Sequence, residues 1–157
     1  MITYKRGNLL DVTEGIIVHG CNRQGVMGSG VAKAVKDKYP GAFYQYVKDL
    51  NDWRNVGYTG MGMISWYEVN DKLRIASGIT QKTYGRSATF RFVSYDALDD
   101  VFKRVSAIAR EEQVTVHIPL IGAGLGNGDW EVIETIISSH SYSCGVPITV
   151  WELENNT

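Results

Sequence analysis

The chain reads as an α/β protein, a three-layer α/β/α sandwich on a mixed sheet. Three observations predict it. Strand-like and helix-like segments alternate along the sequence, which calls for a largely parallel sheet covered on both faces. One hairpin interrupts the alternation and adds an antiparallel strand. Twice, a strand-like run empties into a glycine cluster that opens a helix. The 157 residues fit one domain spanning 1–157 and leave little room for a second.

Each element has its own signal. Residues 2–5 form a short strand, ended by Gly7-Asn8. Residues 15–19 (GIIVH) are rich in β-branched side chains and predict a buried strand. A loop over 20–28 follows, and then a helix over 30–38 with Val31, Ala34 and Val35 on one face. Tyr39-Pro40-Gly41 stops it. Phe43, Tyr46, Val47 and Leu50 share one face of a second helix over 42–50, followed by a turn region over 51–57. Residues 62–69 and 73–79 are hairpin strands joined at Asn70-Asp71. The longest helix spans 94–112, with Ser94 as N-cap and a stripe of Leu98, Val101, Phe102, Val105, Ile108 and Ala109. A strand over 114–120, a helix over 130–139 and a strand over 148–153 complete the order. Residues 154–157 read as a frayed tail.

Composition removes several function classes. The formal net charge is −1, so no global field draws the chain to nucleic acid or to an anionic membrane. Cys21 and Cys144 are far apart and belong to no zinc-type spacing. The N-terminus lacks a secretory apolar core, and no run approaches the ~18 residues of a membrane span. A reducing, cytoplasmic setting with free thiols, a monomer, no metal and no cofactor are the resulting expectations.

The glycines carry the functional signal. Eight of the 17 sit in two short segments: Gly20, Gly25, Gly28 and Gly30, then Gly122, Gly124, Gly126 and Gly128. Glycine lets the backbone approach a ligand closely, and successive N–H groups beside a helix N-terminus bind anions. In open α/β sheets such loops lie at the carboxyl ends of strands, where ligands bind. Two of them together can grip a diphosphate and its ribose. Neither loop is a standard nucleotide motif. Gly25 and Gly30 have Walker A spacing, but Val31 stands where the lysine belongs. A dinucleotide fingerprint started at Gly28 meets Lys33, and one started at Gly122 meets Asn127.

YKRGNLL (4–10), His19-Gly20-Cys21-Asn22, Gly25-Val26-Met27-Gly28-Ser29-Gly30-Val31-Ala32 and IPLIGAGLG (118–126) resemble the macrodomain family in order and over nearly the whole chain. The resemblance is closest to the branch of yeast-type ADP-ribose 1''-phosphate phosphatases and the terminal ADP-ribose protein glycohydrolase. The compact sequence also resembles phage-encoded members. The resemblance implies a roughly six-stranded mixed sheet with ADP-ribose in a cleft along its top. By the same resemblance, Asn22 would face the distal ribose, and Gly28, Ser29, Gly30 and Val31 would line the distal ribose and diphosphate. Gly122, Ala123, Gly124, Leu125 and Gly126 would wrap the diphosphate from the other side. Asn8 and Leu9 would meet the adenine, with Trp151 near the adenine or its ribose.

The chain departs from the family in three places. Asn8 replaces the usual Asp, an acceptor for the adenine amino group. Gln81 and Gly126 stand where the glycohydrolase has its catalytic Lys and Asp.

Few side chains offer acid–base chemistry. His19 ends the strand that feeds the first loop and reads either as a general acid/base or as a core histidine. Asp129, after the second loop, reads as a helix N-cap or as a group orienting water or His19. Cys21 has no acid–base partner other than His19. Tyr84-Gly85-Arg86 reads as a rim over the cleft or as a plain surface loop. The leading expectation is hydrolysis of ADP-ribose 1''-phosphate to ADP-ribose and phosphate, assisted by His19 and Asp129. A non-catalytic ADP-ribose reader and a hydrolase of ADP-ribosyl esters on acidic side chains are the alternatives.

Overall fold

The structure, a computed structural model, describes residues 1–153; the tail expected to fray over 154–157 lies outside the described residues. Its elements run β1 (Ile2–Arg6), β2 (Gly15–Asn22), α1 (Gly30–Lys38), α2 (Pro40–Asn55), β3 (Ile64–Glu68), β4 (Leu73–Gln81), α3 (Tyr95–Glu112), β5 (Val116–Ile118), α4 (Trp130–Cys144) and β6 (Ile148–Glu152). The six strands form one sheet in the order β1-β6-β5-β2-β4-β3. β3 pairs antiparallel with β4, and every other pairing is parallel.

Alternation along β2 builds the two cores. Ile16 and Val18 face α3 and α4, and pack with Ala76, Val116, Ile118, Ile148 and Val150. Ile17 and Cys21 face the other way, toward α1 and α2. A strand buried on both faces needs apolar residues at consecutive positions, which is why GIIV does not alternate. α3 buries Leu98, Val101, Phe102, Val105 and Ala109 as its stripe predicts. Ser94 caps it, with Oγ accepting from Ala97 N at 3.1 Å.

Several boundaries differ from the sequence expectation. β2 continues through Asn22, because Gly20 and Cys21 stay paired with Gly78 and Ile79 of β4. α2 begins at Pro40 rather than residue 42, since a first-turn proline lacks only an N–H that would be unpaired anyway. It then runs on to Asn55, with Trp53 packed beside Tyr46 and Leu50. On α1, Val31 and Val35 turn inward but Ala34 is exposed. β5 has three residues, those with partners in β6. α4 reaches Cys144 and closes on Gly145 in the left-handed conformation. A 3₁₀ turn follows β1 at Leu9–Asp11, where the Asn8 side chain accepts from Leu10 N. No helix among the described residues is long and apolar enough to cross a membrane.

Candidate functional site

Because β2, β4 and β5 are parallel neighbours, their carboxyl ends meet at one edge of the sheet. The loops that leave them enclose a cleft of about 580 Å³. Loop one (23–29) leads from β2 into α1. Loop two (119–129) leads from β5 into α4. A third segment, 82–93, leaves β4 and brings Tyr84, Gly85 and Arg86 to the cleft wall.

Loop one is held by Asn22. Its Oδ1 accepts from Gln24 N at 3.0 Å and Val26 N at 3.3 Å, and its Nδ2 donates to Val26 O at 2.8 Å. The side chain thereby shapes the loop as well as lining the cleft. The backbone N–H groups of Gly28, Ser29, Gly30, Val31 and Ala32 then have no hydrogen-bond partner among the described residues. Ser29 sits at the N-cap of α1, but its hydroxyl makes no capping bond. Loop two leaves the N–H groups of Gly122, Gly124, Leu125 and Gly126 equally unpaired, while Gly128 N donates to Gly122 O at 2.8 Å. Gly122 is required here: its φ is +77°, and a Cβ would lie 2.9 Å from Val93. Gly124 instead meets nothing within 4 Å where a Cβ would be. Two sets of free donors thus line one cavity, one of them at the positive end of α1.

The segment after β4 is tied to both loops. Tyr84 N donates to Gln24 Oε1 at 3.3 Å. Asn127 Nδ2 donates to Ser87 O, and to Phe90 O at 2.9 Å. Gln81 lines the cleft and donates through Nε2 to Thr83 O at 2.9 Å. Thr80 and residues 119–121 complete the wall.

Of the residues the sequence singled out, Asn22, Gly28, Ser29, Gly30, Val31, Gly122, Gly124, Leu125 and Gly126 line this cleft. The others do not. Ala123 packs toward the α3/α4 core, and Leu9 is buried with Ile17 and Val35. Asn8 and Trp151 line a separate groove of about 330 Å³ together with His117. There Trp151 Nε1 donates to His117 Nδ1 at 3.0 Å, and Asn8 Oδ1 accepts from Leu10 N at 2.9 Å.

Neither residue expected to assist catalysis stands in the cleft. His19 is wholly buried on the α1/α2 side, with Nε2 2.8 Å from Ser77 Oγ. The even–odd alternation of β2 sends it under the sheet's end rather than over it. Burial lowers its pKa to about 4, so it is neutral at pH 7. Asp129 caps α4, its Oδ1 accepting from Glu131 N at 2.9 Å. Cys21 touches the cleft, but burial pushes its thiol up to about 12, far from a reactive thiolate. At Gly126 the backbone has no room for an acid, since a Cβ would lie 2.8 Å from Gly122 O. Arg86 is the charged side chain of the cleft lining. Among the described residues, no group of three or more His, Cys, Asp or Glu side chains is arranged to hold a metal ion.

A mixed six-stranded sheet between two helix layers, with two glycine loops meeting over its strand ends, is a macrodomain architecture. The Macro domain family matches residues 18–137, and the chain belongs to that family. It is 29% identical over 161 residues to an uncharacterised 17.5 kDa protein of Enterobacteria phage T4, covering 97% of each chain. It is 28% identical over 135 residues to a DNA ADP-ribosyl glycohydrolase of Mycobacterium tuberculosis, covering 85% of this chain and 37% of that protein. An ADP-ribose 1''-phosphate phosphatase of Aspergillus fumigatus is 50% identical over 46 residues, 29% of this chain and 23% of that protein. The matched segments therefore cover well under half of either enzyme. A macrodomain protein from Streptomyces coelicolor superposes with a TM-score of 0.81 at 30% identity, covering 97% and 99% of the two chains.

Proposed function

We propose that the cleft binds ADP-ribose or an ADP-ribose derivative, and that the chain hydrolyses ADP-ribose 1''-phosphate to ADP-ribose and inorganic phosphate. The observation that carries this reading is the pair of free N–H sets from loops one and two lining one cavity. A diphosphate between them would satisfy donors that otherwise face water, with the α1 dipole adding to the attraction. The names of the mycobacterial and fungal relatives support an ADP-ribosyl ligand.

In the hydrolysis, water attacks the terminal phosphorus and the bond from phosphorus to the 1''-oxygen breaks. That oxygen leaves as the 1''-hydroxyl after gaining a proton. Phosphoryl transfer asks a protein chiefly for positioning and charge stabilisation, which backbone donors and Arg86 can supply without a carboxylate base. His19 and Asp129 have no direct part in this step, given where they lie.

The second reading is a non-catalytic ADP-ribose reader. One observation favours it: no carboxylate, histidine or lysine lines the cleft among the described residues. Lysine-dependent cleavage of ADP-ribosyl esters finds neither of its side chains, with Gln81 and Gly126 in their places. Calorimetry with ADP-ribose and a phosphate-release assay with ADP-ribose 1''-phosphate separate the readings. Binding with phosphate release supports the phosphatase, and binding without turnover supports the reader. No binding of either compound sinks both.

A further inference from the structure

We propose that Arg86 is the specificity-determining residue of the cleft and reads a phosphate carried at the far end of the ligand. This rests on the binding mode proposed above. Arg86 has three properties that set it apart. Its side chain is the charged group in the cleft lining. It makes no salt bridge and no hydrogen bond among the described residues, whereas Arg54, Arg74 and Arg104 are each committed to a carbonyl or carboxylate. Finally, it lines both the main cleft and an adjoining cavity of about 360 Å³, which it shares with Ser87, Ala88, Gly124, Leu125 and Asn127.

The main chain fixes where that guanidinium can act. Tyr84 is tied to loop one through Gln24, and Ser87 is tied to loop two through Asn127. Arg86 therefore spans the gap between the two loops, anchored two residues before it and one after. The diphosphate of the ligand already has the free N–H groups of both loops. A further anionic group, carried past the diphosphate toward the β4 side, would enter the space that Arg86 borders. A guanidinium offers a planar fork of donors that matches two phosphate oxygens at once, and it stays charged at every working pH. No acidic residue lies between Lys82 and Tyr95 to compete for it.

The test compares two ligands on three proteins. ADP-ribose and, as the phosphorylated ligand, a non-hydrolysable phosphonate analogue of ADP-ribose 1''-phosphate are titrated calorimetrically into the wild type, Arg86→Lys and Arg86→Ala. The expected result is a loss of about tenfold or more in affinity of Arg86→Ala for the phosphorylated ligand, the size set by a charge-assisted hydrogen bond. ADP-ribose affinity should stay within about twofold, which also serves as the control for folding. Arg86→Lys should recover only part of the loss, because an ammonium keeps the charge but not the fork. Equal loss for both ligands would make Arg86 a diphosphate clamp and overturn the proposal, as would no change for either. If ADP-ribose binds the wild type but the phosphorylated ligand binds no tighter, the proposal fails while the binding reading stands. If neither ligand binds the wild type, both fail.

Discussion

The Tyr46 hydroxyl lies 2.5 Å from the main-chain carbonyl of Asn22 and 3.0 Å from its side-chain oxygen. The same hydroxyl accepts from Gly25 N at 3.2 Å. One buried atom of α2 thus pins both the end of β2 and the turn of loop one. The Asn22 amide finishes the task by bonding Gln24 and Val26. The cleft's first set of free N–H groups begins only after this pinned turn. Loop one is shaped before any ligand arrives, which lowers the ordering cost of binding.

Tyr46→Phe keeps the ring and removes only the hydroxyl. It leaves the Asn22 carbonyl and Gly25 N–H short of a partner in a buried place, a cost of about 1–3 kcal/mol. Urea unfolding should show that loss, and ADP-ribose affinity should fall by more than Asp129→Asn lowers it. Full stability and affinity in Tyr46→Phe would remove Tyr46 from the account of loop one.

Gly124 separates binding from folding. Nothing lies within 4 Å of a Cβ placed there, and no positive φ forbids a side chain. Gly124→Glu should unfold within about 0.5 kcal/mol of the wild type, as exposed substitutions usually do. Its carboxylate would stand among the donors meant for phosphate, so ADP-ribose binding should become undetectable by calorimetry. A variant that still binds would place the diphosphate elsewhere.

His19 predicts a pH signature of stability. Its pKa is about 4 in the folded chain and near 6.5 when exposed. Between those values the unfolded chain carries the proton and the folded chain does not, so stability falls as pH drops from about 6.5 toward 4. Below the lower value both states are protonated and this contribution is gone. The shift corresponds to about 3 kcal/mol. Urea midpoints for wild type and His19→Gln at pH 7 and pH 4.5 should converge toward the lower pH. The pH profile of turnover, by contrast, should carry no inflection from His19. An inflection near pH 6.5 that His19→Gln abolishes would return the residue to the chemistry.

The glycine loops were legible in the sequence because their signal is local: a β-branched run, glycines, then a helix. The layer arrangement followed from the same alternation. The misplaced residues were those whose role depends on parity or pairing. His19 is one residue before Gly20 of the cleft wall, yet its side chain belongs to the α1/α2 core beside Ser77. Asn70-Asp71 marks the hairpin locally, but that β4 also lies beside β2 depends on nonlocal pairing. That neighbourhood is what brings Gln81 and Arg86 to the cleft. The sequence leaves Tyr84-Gly85-Arg86 open between a rim over the cleft and a plain surface loop, and the structure puts it at the cleft wall.

The bond from Asn127 to the segment after β4 gives the last prediction. Asn127 sits at φ +58°, and its Nδ2 holds the carbonyls of Ser87 and Phe90. Asn127→Gly permits the same backbone and deletes only those bonds, so loop two should keep its course. The segment would then keep its bond to Gln24 and the bonds from Phe92 N and Val93 N to Gly126 O, while residues 87–90 would lose their tie to loop two. Trypsin should cut faster after Arg86 in this variant than in the wild type, with little change in the urea midpoint. Saturating ADP-ribose should slow the cut in both proteins, because a ligand in the cleft stabilises the closed wall by mass action. Equal cleavage rates without ligand would show that Asn127 does not hold the segment, and cleavage unaffected by ADP-ribose would detach residues 84–86 from the binding site.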